Sequence, residues 1–203
     1  MMTNLLHPAL LYYGNTREQV FPVVLVIGRE PNADSAMGSH AGAYNFREYP
    51  YAGIWNIAYS LMAEEIGLKG QRLKRICERA RSSPFLFGNA LPLGITNAVP
   101  NKLPQRLAVQ NEARQHIQNV FSFEDLISRV RLVLLSGLHG TEFSKSCEAI
   151  AEQCQRWNLP SVSLPFFRGP NKVRIKQQLA LVDRSRMSEV GSAFLEIQPK
   201  GKG

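Results

Sequence analysis

The chain predicts an α/β fold, a three-layer αβα sandwich on a mainly parallel four-stranded sheet. Three observations lead there. Short apolar runs bounded by Gly or Pro recur along the sequence, and longer stretches with helical patterning lie between them. The first of these runs is also apolar throughout instead of alternating, as strands covered on both faces are.

The first run, Phe21 to Gly28 (FPVVLVIG), is β-branched and ended by glycine, and reads as a strand of the sheet interior. Leu93 to Val99 (LGITNAV), Arg131 to Ser136 (RLVLLS) and Ser161 to Pro165 read as the other three. Pro104 to Val120 reads as a helix with proline in its first turn, and Thr141 to Trp157 as another. In a sheet of this kind ligands bind in the crevice beyond the carboxyl ends of the strands. Functional residues are therefore sought just after each strand.

The length of 203 residues fits one domain, placed at 1–186, with 187–203 as a C-terminal extension ending in a fraying PKGKG tail. With 44% apolar residues the chain can bury a proper core. The longest apolar run, Val20 to Ile27, falls far short of the roughly 20 residues of a membrane span. The amino terminus, MMTNL, lacks the basic and apolar regions of a secretory signal. The expectation is a cytoplasmic monomer without a membrane partner. Cys77, Cys147 and Cys154 form no Cys-x-x-Cys pair, and His7, His40, His116 and His139 lack zinc-ligand spacing, so neither a metal nor another cofactor is expected.

Charge narrows the partner. There are 24 Lys and Arg against 16 Asp and Glu, a net +8. From Lys69 to Arg81 six basic residues face only Glu78, and from Arg168 onwards eight face Asp183, Glu189 and Glu196, which leaves the rest of the chain close to neutral. If folding brings the two segments together they form one surface for a polyanion, with nucleic acid the first candidate; otherwise they are two solvated helix faces.

After the first strand comes Gly28-Arg29-Glu30-Pro31-Asn32. Pro31 biases Glu30 towards extended backbone, so a carboxylate stands at the crevice mouth, able to act as a base or to cap and pair with an arginine. Ser136 to Gly140, with His139, either presents helix-start amides to a phosphate or is simply a glycine-rich connection. Leu164 to Asn171 (LPFFRGPN), followed by Lys172, Arg174 and Lys176, combines prolines, aromatics and cations, as suits a loop pressed on a nucleic-acid backbone. Phe166 and Phe167 read equally as core. The stretch Gly38 to Gly53, with Tyr44, Phe46, Tyr49 and Tyr51, reads as an ordered loop lining a site or packing the surface.

The order of these pieces resembles the uracil-DNA glycosylase superfamily, especially its mismatch-specific uracil/thymine branch. Val-Ile-Gly28-Arg29-Glu30-Pro31-Asn32 looks like the first motif, Ile54-Trp55-Asn56 the helix start after the aromatic loop, and Gly94-Ile95-Thr96-Asn97 the second strand. Leu135 to Gly140 resembles the third motif and Leu164 to Asn171 the last, so the likeness spans about residues 20 to 182. The resemblance implies a four-stranded parallel sheet between helices, a DNA groove across its carboxyl edge, and hydrolysis of the N-glycosidic bond of a flipped, damaged base. Glu30 stands where the family uses Asp or Asn to aid water, and Asn97 would read the base edge. Tyr44 or Phe46 would stack under the base. Phe166 replaces the family's His or Asn, which binds the base carbonyl oxygen, and has no donor to offer. Pro170 sits at the wedge position, and His139, Arg168, Asn171, Lys172 and Arg174 would face DNA. A non-catalytic nucleic-acid-binding descendant and a nucleoside hydrolase reusing the crevice are the competing readings.

Overall fold

The computed structural model describes residues 10, 14–29, 53–69, 71–91, 103–139, 143–167, 169–180 and 184–198. At its centre is an all-parallel four-stranded sheet of β1 (Val23–Gly28), β2 (Phe85–Asn89), β3 (Val130–Ser136) and β4 (Ser161–Leu164), in the spatial order β2-β1-β3-β4. The described helices are α1 (Gly53–Glu65), α2 (Arg72–Ala80), α3 (Leu103–Val120), α4 (Glu124–Ile127), α5 (Ser144–Arg156), α6 (Lys172–Ala180) and α7 (Ser185–Glu196). Helix α1 packs on α2 and α7, and α7 also meets β1 and β3; α3 packs along α5 as the second helical pair. The sandwich has the α/β class and the three layers that the sequence predicts.

The two edge strands, β2 and β4, differ in burial. All of β1 and β2 is buried, as their continuous covering requires. Edge strand β4 instead alternates, with Ser161 and Ser163 exposed and Val162 and Leu164 buried. Two helices are fastened by aromatic contacts. The Tyr59 ring of α1 meets Phe85 edge-on at 5.0 Å and its hydroxyl lies 2.7 Å from Ser83 Oγ, while Phe194 of α7 packs edge-on to Phe21 at 5.4 Å. Helix α2 is amphipathic: Leu73, Ile76 and Cys77 turn to the core at helical spacing, and it stops where Arg81 turns left-handed at φ 51°.

Three expectations meet differences. The second strand is Phe85–Asn89, whereas Leu93 to Val99 lies outside the described residues. Its apolar run is only three residues long, and Gly88-Asn89 reads as a turn until pairing with Ile27 and Gly28 of β1 extends it. Helix α7 crosses the expected boundary at 186, and Met187, Val190 and Phe194 are buried beyond it, so these residues belong to the same core. Finally, the basic segments do not merge at the carboxyl edge. Arg79 and Arg81 lie just before β2, at the amino edge, where Asn15 donates its backbone N–H to Arg81 O at 2.9 Å. Lys74 is itself buried.

Candidate functional site

Strand order decides where a crevice can form. From β1 the chain moves outward to β2, then crosses β1 to reach β3 and continues to β4, so the direction of winding reverses between β1 and β3. The carboxyl ends of those two strands are the topological switch point. Three of the stretches singled out in the sequence start at this edge: Gly28-Arg29, Ser136 to His139, and Leu164 to Asn171.

The edge is tightly tied. Ala90 N donates to Gly28 O at 2.8 Å and Leu91 N to Arg29 O at 3.2 Å, so pairing of β1 with the β2 connection outlasts the strands. Two helices of one layer cap the end of β2. His116 Nε2 of α3 donates to Asn89 O at 2.9 Å, since a carbonyl only accepts, and Ser146 Oγ of α5 donates to Ala90 O at 2.7 Å. The Arg29 guanidinium lies 4.9 Å from the Phe143 ring centroid, just ahead of α5.

Between β3 and β4 the backbone comes closest. Gly137 N donates to Leu164 O at 2.9 Å, and Phe167 N donates to buried Ser136 Oγ at 2.9 Å. Gly137 has φ +71°, and a Cβ there would stand 2.8 Å from Phe166 Cβ and 2.9 Å from Phe166 Cα. Only glycine satisfies both conditions. Phe167 is core, while Phe166 stays half-buried at the edge, its carbonyl accepting from Asn171 Nδ2 at 2.8 Å. Asn171 thus holds its own loop, within the short turn Gly169–Asn171 whose Pro170 is exposed.

His139 and Arg174 are exposed beside this edge. Lys172 is not simply presented to solvent: its Nζ donates to Ser60 Oγ at 2.8 Å and pairs with Glu64 at 2.9 Å, and Lys176 pairs with the other Glu64 oxygen. Helix α6 is thereby clamped to α1. Ser60 and Glu64 carried no signal in the sequence, because only the fold brings α1 under the β4 loop. Glu30, Tyr44, Phe46, Asn97 and Arg168 lie outside the described residues.

The clamp has a pH dependence. Partial burial pushes the Glu64 carboxyl up, but hydrogen bonds and charge from Lys176 and Lys172 outweigh this and hold it below its ordinary value. A depressed carboxylate contributes stability above its unfolded pKa, and the contribution is lost as pH falls through the folded value. At this solvent exposure Glu64→Gln is expected to cost only about 0.5–1 kcal/mol at neutral pH. The difference from the parent should shrink as pH falls below the ordinary carboxylate range and through the depressed folded value. Urea unfolding of both proteins at neutral and acid pH measures it.

Among the described residues no group of three or more His, Cys, Asp or Glu side chains could hold a metal ion, and no helix is long and apolar enough to cross a membrane. Burial pushes the thiols up, Cys77 and Cys147 above the ordinary value and Cys154 to about 11, where a hydrogen bond with Ser161 opposes the shift only in part. Raised thiols are poor nucleophiles. No model of a known protein family matches the chain, and no curated protein matches it.

Proposed function

We propose that the chain is a DNA-binding, base-excision glycosylase-like protein that hydrolyses the N-glycosidic bond of a damaged or deaminated base at the carboxyl edge of its sheet. One observation carries the reading. The Gly28-Arg29 end of β1 stands at the β1/β3 switch point of a parallel four-stranded sheet enclosed by helices, and the next residue in the sequence, Glu30, is a carboxylate. That is the position and the setting that the resemblance implies. In this reading Glu30 activates water against an oxocarbenium-like sugar, Tyr44 or Phe46 stacks on the flipped base, Asn97 reads its edge, and Arg168 and Arg174 meet phosphates. Lys172, shared with Glu64 and Ser60, positions the β4 loop. The electrostatic support is narrower than composition alone implies, because the Arg79 and Arg81 end of the other basic segment stands at the opposite edge.

A second reading is favoured by Phe166. Its side chain donates no hydrogen bond where the family binds the base carbonyl, and loss of such a donor costs about a hundredfold or more in rate. A protein that binds DNA without cleaving it would follow. The experiment is incubation with duplexes carrying uracil, hypoxanthine, xanthine or an oxidised base, followed by detection of abasic sites. The enzymatic reading expects product from at least one duplex and a loss of about a hundredfold or more in Glu30→Gln. Salt-sensitive binding without product favours the second reading, and no binding at low salt overturns both.

A further inference from the structure

The proposed site leaves the amino edge of the sheet unused, and that edge contains a cavity. It holds about 180 Å3, and Arg131, Arg186, Trp157, Asn158, Leu159 and Pro160 are among the residues that line it. It lies at the edge opposite the Gly28-Arg29 end of β1, because Arg131 stands near the start of β3 while Trp157 and Asn158 precede β4.

Arg131 is placed there by a defect in the sheet. Val23 pairs with Val130 and Val24 with Leu132, so Arg131 is an extra residue in β3, and such bulges re-aim a side chain and free a backbone group. The freed Arg131 carbonyl accepts from Arg186 Nη1 at 3.3 Å, which draws a second guanidinium to the same cavity. Arg131 Nη1 donates to Ser128 O at 3.1 Å and Val130 O at 3.2 Å, fixing the plane of the group. Among the described residues no acceptor meets its Nε or Nη2. A fixed guanidinium with donors to spare and a second one beside it, in a cavity that Trp157 and Asn158 also line, match a phosphate joined to a small group. Arginine binds phosphate oxygens through paired, charge-assisted hydrogen bonds. The volume suits a phosphate with part of its sugar, since pockets for drug-sized ligands begin at about 300 Å3.

We infer that this cavity is a second binding site, for a phosphate ester, formed by Arg131 and Arg186 around the β3 bulge. The phosphate belongs either to a free mononucleotide or to a nucleic-acid backbone. The site stands independently of the carboxyl-edge chemistry. The test is calorimetric titration, with tryptophan fluorescence followed in parallel because Trp157 lines the cavity. The probes are inorganic phosphate, deoxyadenosine 5′-monophosphate, deoxyadenosine and a short undamaged duplex.

Phosphate-bearing probes are expected to bind and deoxyadenosine not to. Arg131→Gln should weaken binding about tenfold or more, with partial rescue by Arg131→Lys. Glu30→Gln should leave it unchanged. Binding of the mononucleotide identifies a free phosphate ester as the ligand, and binding of the duplex alone, equally sensitive to Arg131→Gln, identifies the backbone. Should Arg131→Gln fail to fold by circular dichroism, Arg186→Gln reads the same cavity. The inference is overturned if no phosphate-bearing probe binds, if deoxyadenosine binds as well as its monophosphate, or if binding survives in the folded variants. None of these outcomes depends on base excision, so each leaves the proposed function standing or falling by its own assay.

Discussion

Deletion of residues 187–203 is expected to leave a chain that does not fold. The cut removes Met187, Val190 and Phe194, all buried, and exposes the surfaces they cover on α1 and the sheet. Truncating a buried Phe to Ala alone costs about 3–5 kcal/mol and a buried Met about 2–5, against a total of about 5–15 kcal/mol for a typical domain. The partial loss, Phe194→Ala, should therefore lower the urea midpoint sharply while leaving a folded protein. Removal of 199–203 alone should change stability by no more than about 0.5 kcal/mol. Circular dichroism and gel filtration of the three forms distinguish the cases. A folded 1–186 protein would show that α7 is an accessory and not part of the core.

The second large effect is expected at Gly137. Alanine there combines two penalties: a left-handed backbone at φ +71°, and a Cβ held 2.8–2.9 Å from Phe166 Cβ and Cα. Strain of the first kind costs about 1–2 kcal/mol and overpacking about 1–3, so a loss of about 2–5 kcal/mol is expected. The nearest atoms include backbone, so repacking a side chain does not relieve the clash. Phe166→Gly in the same chain should restore part of the loss, because it removes the Cβ while leaving the Cα in place. A double-mutant cycle on urea midpoints measures this coupling. Additive losses would mean that the two residues do not press on each other. Since Gly137 and Phe166 join the ends of β3 and β4, Gly137→Ala should also weaken the DNA binding proposed for the carboxyl edge.

Much of this architecture was legible beforehand. A parallel sheet needs strands apolar on both faces, so VVLVIG announces β1 whatever the rest of the chain does, and LVLLS announces β3. Likewise, 104–120 and 141–157 carry helical patterning, and α3 and α5 fall within or beside those bounds. β2 was not legible, because FLFGN ends in two residues that favour turns and becomes a strand only by pairing with β1. The carboxyl-edge motifs could be found because crevice residues follow strands in sequence as well as in space. The clamp of Lys172 and Lys176 on Glu64 could not, since its members stand more than a hundred residues apart. The bulge at Arg131 was hidden for a similar reason: one extra residue in a strand is defined only against its partner.

Local pattern by itself determined the fold class and both interior strands with uninterrupted apolar runs, since burial on two faces leaves a mark within a few consecutive residues. Tertiary structure alone decided which charges share a surface. Helix α2 ends at the amino edge, whereas the second basic segment begins with α6 beyond the carboxyl edge and returns to the amino edge with Arg186, so charges close together in sequence face different ends of the same sheet. Electrostatic attraction depends on distance through space, and separation along the chain carries no information about it.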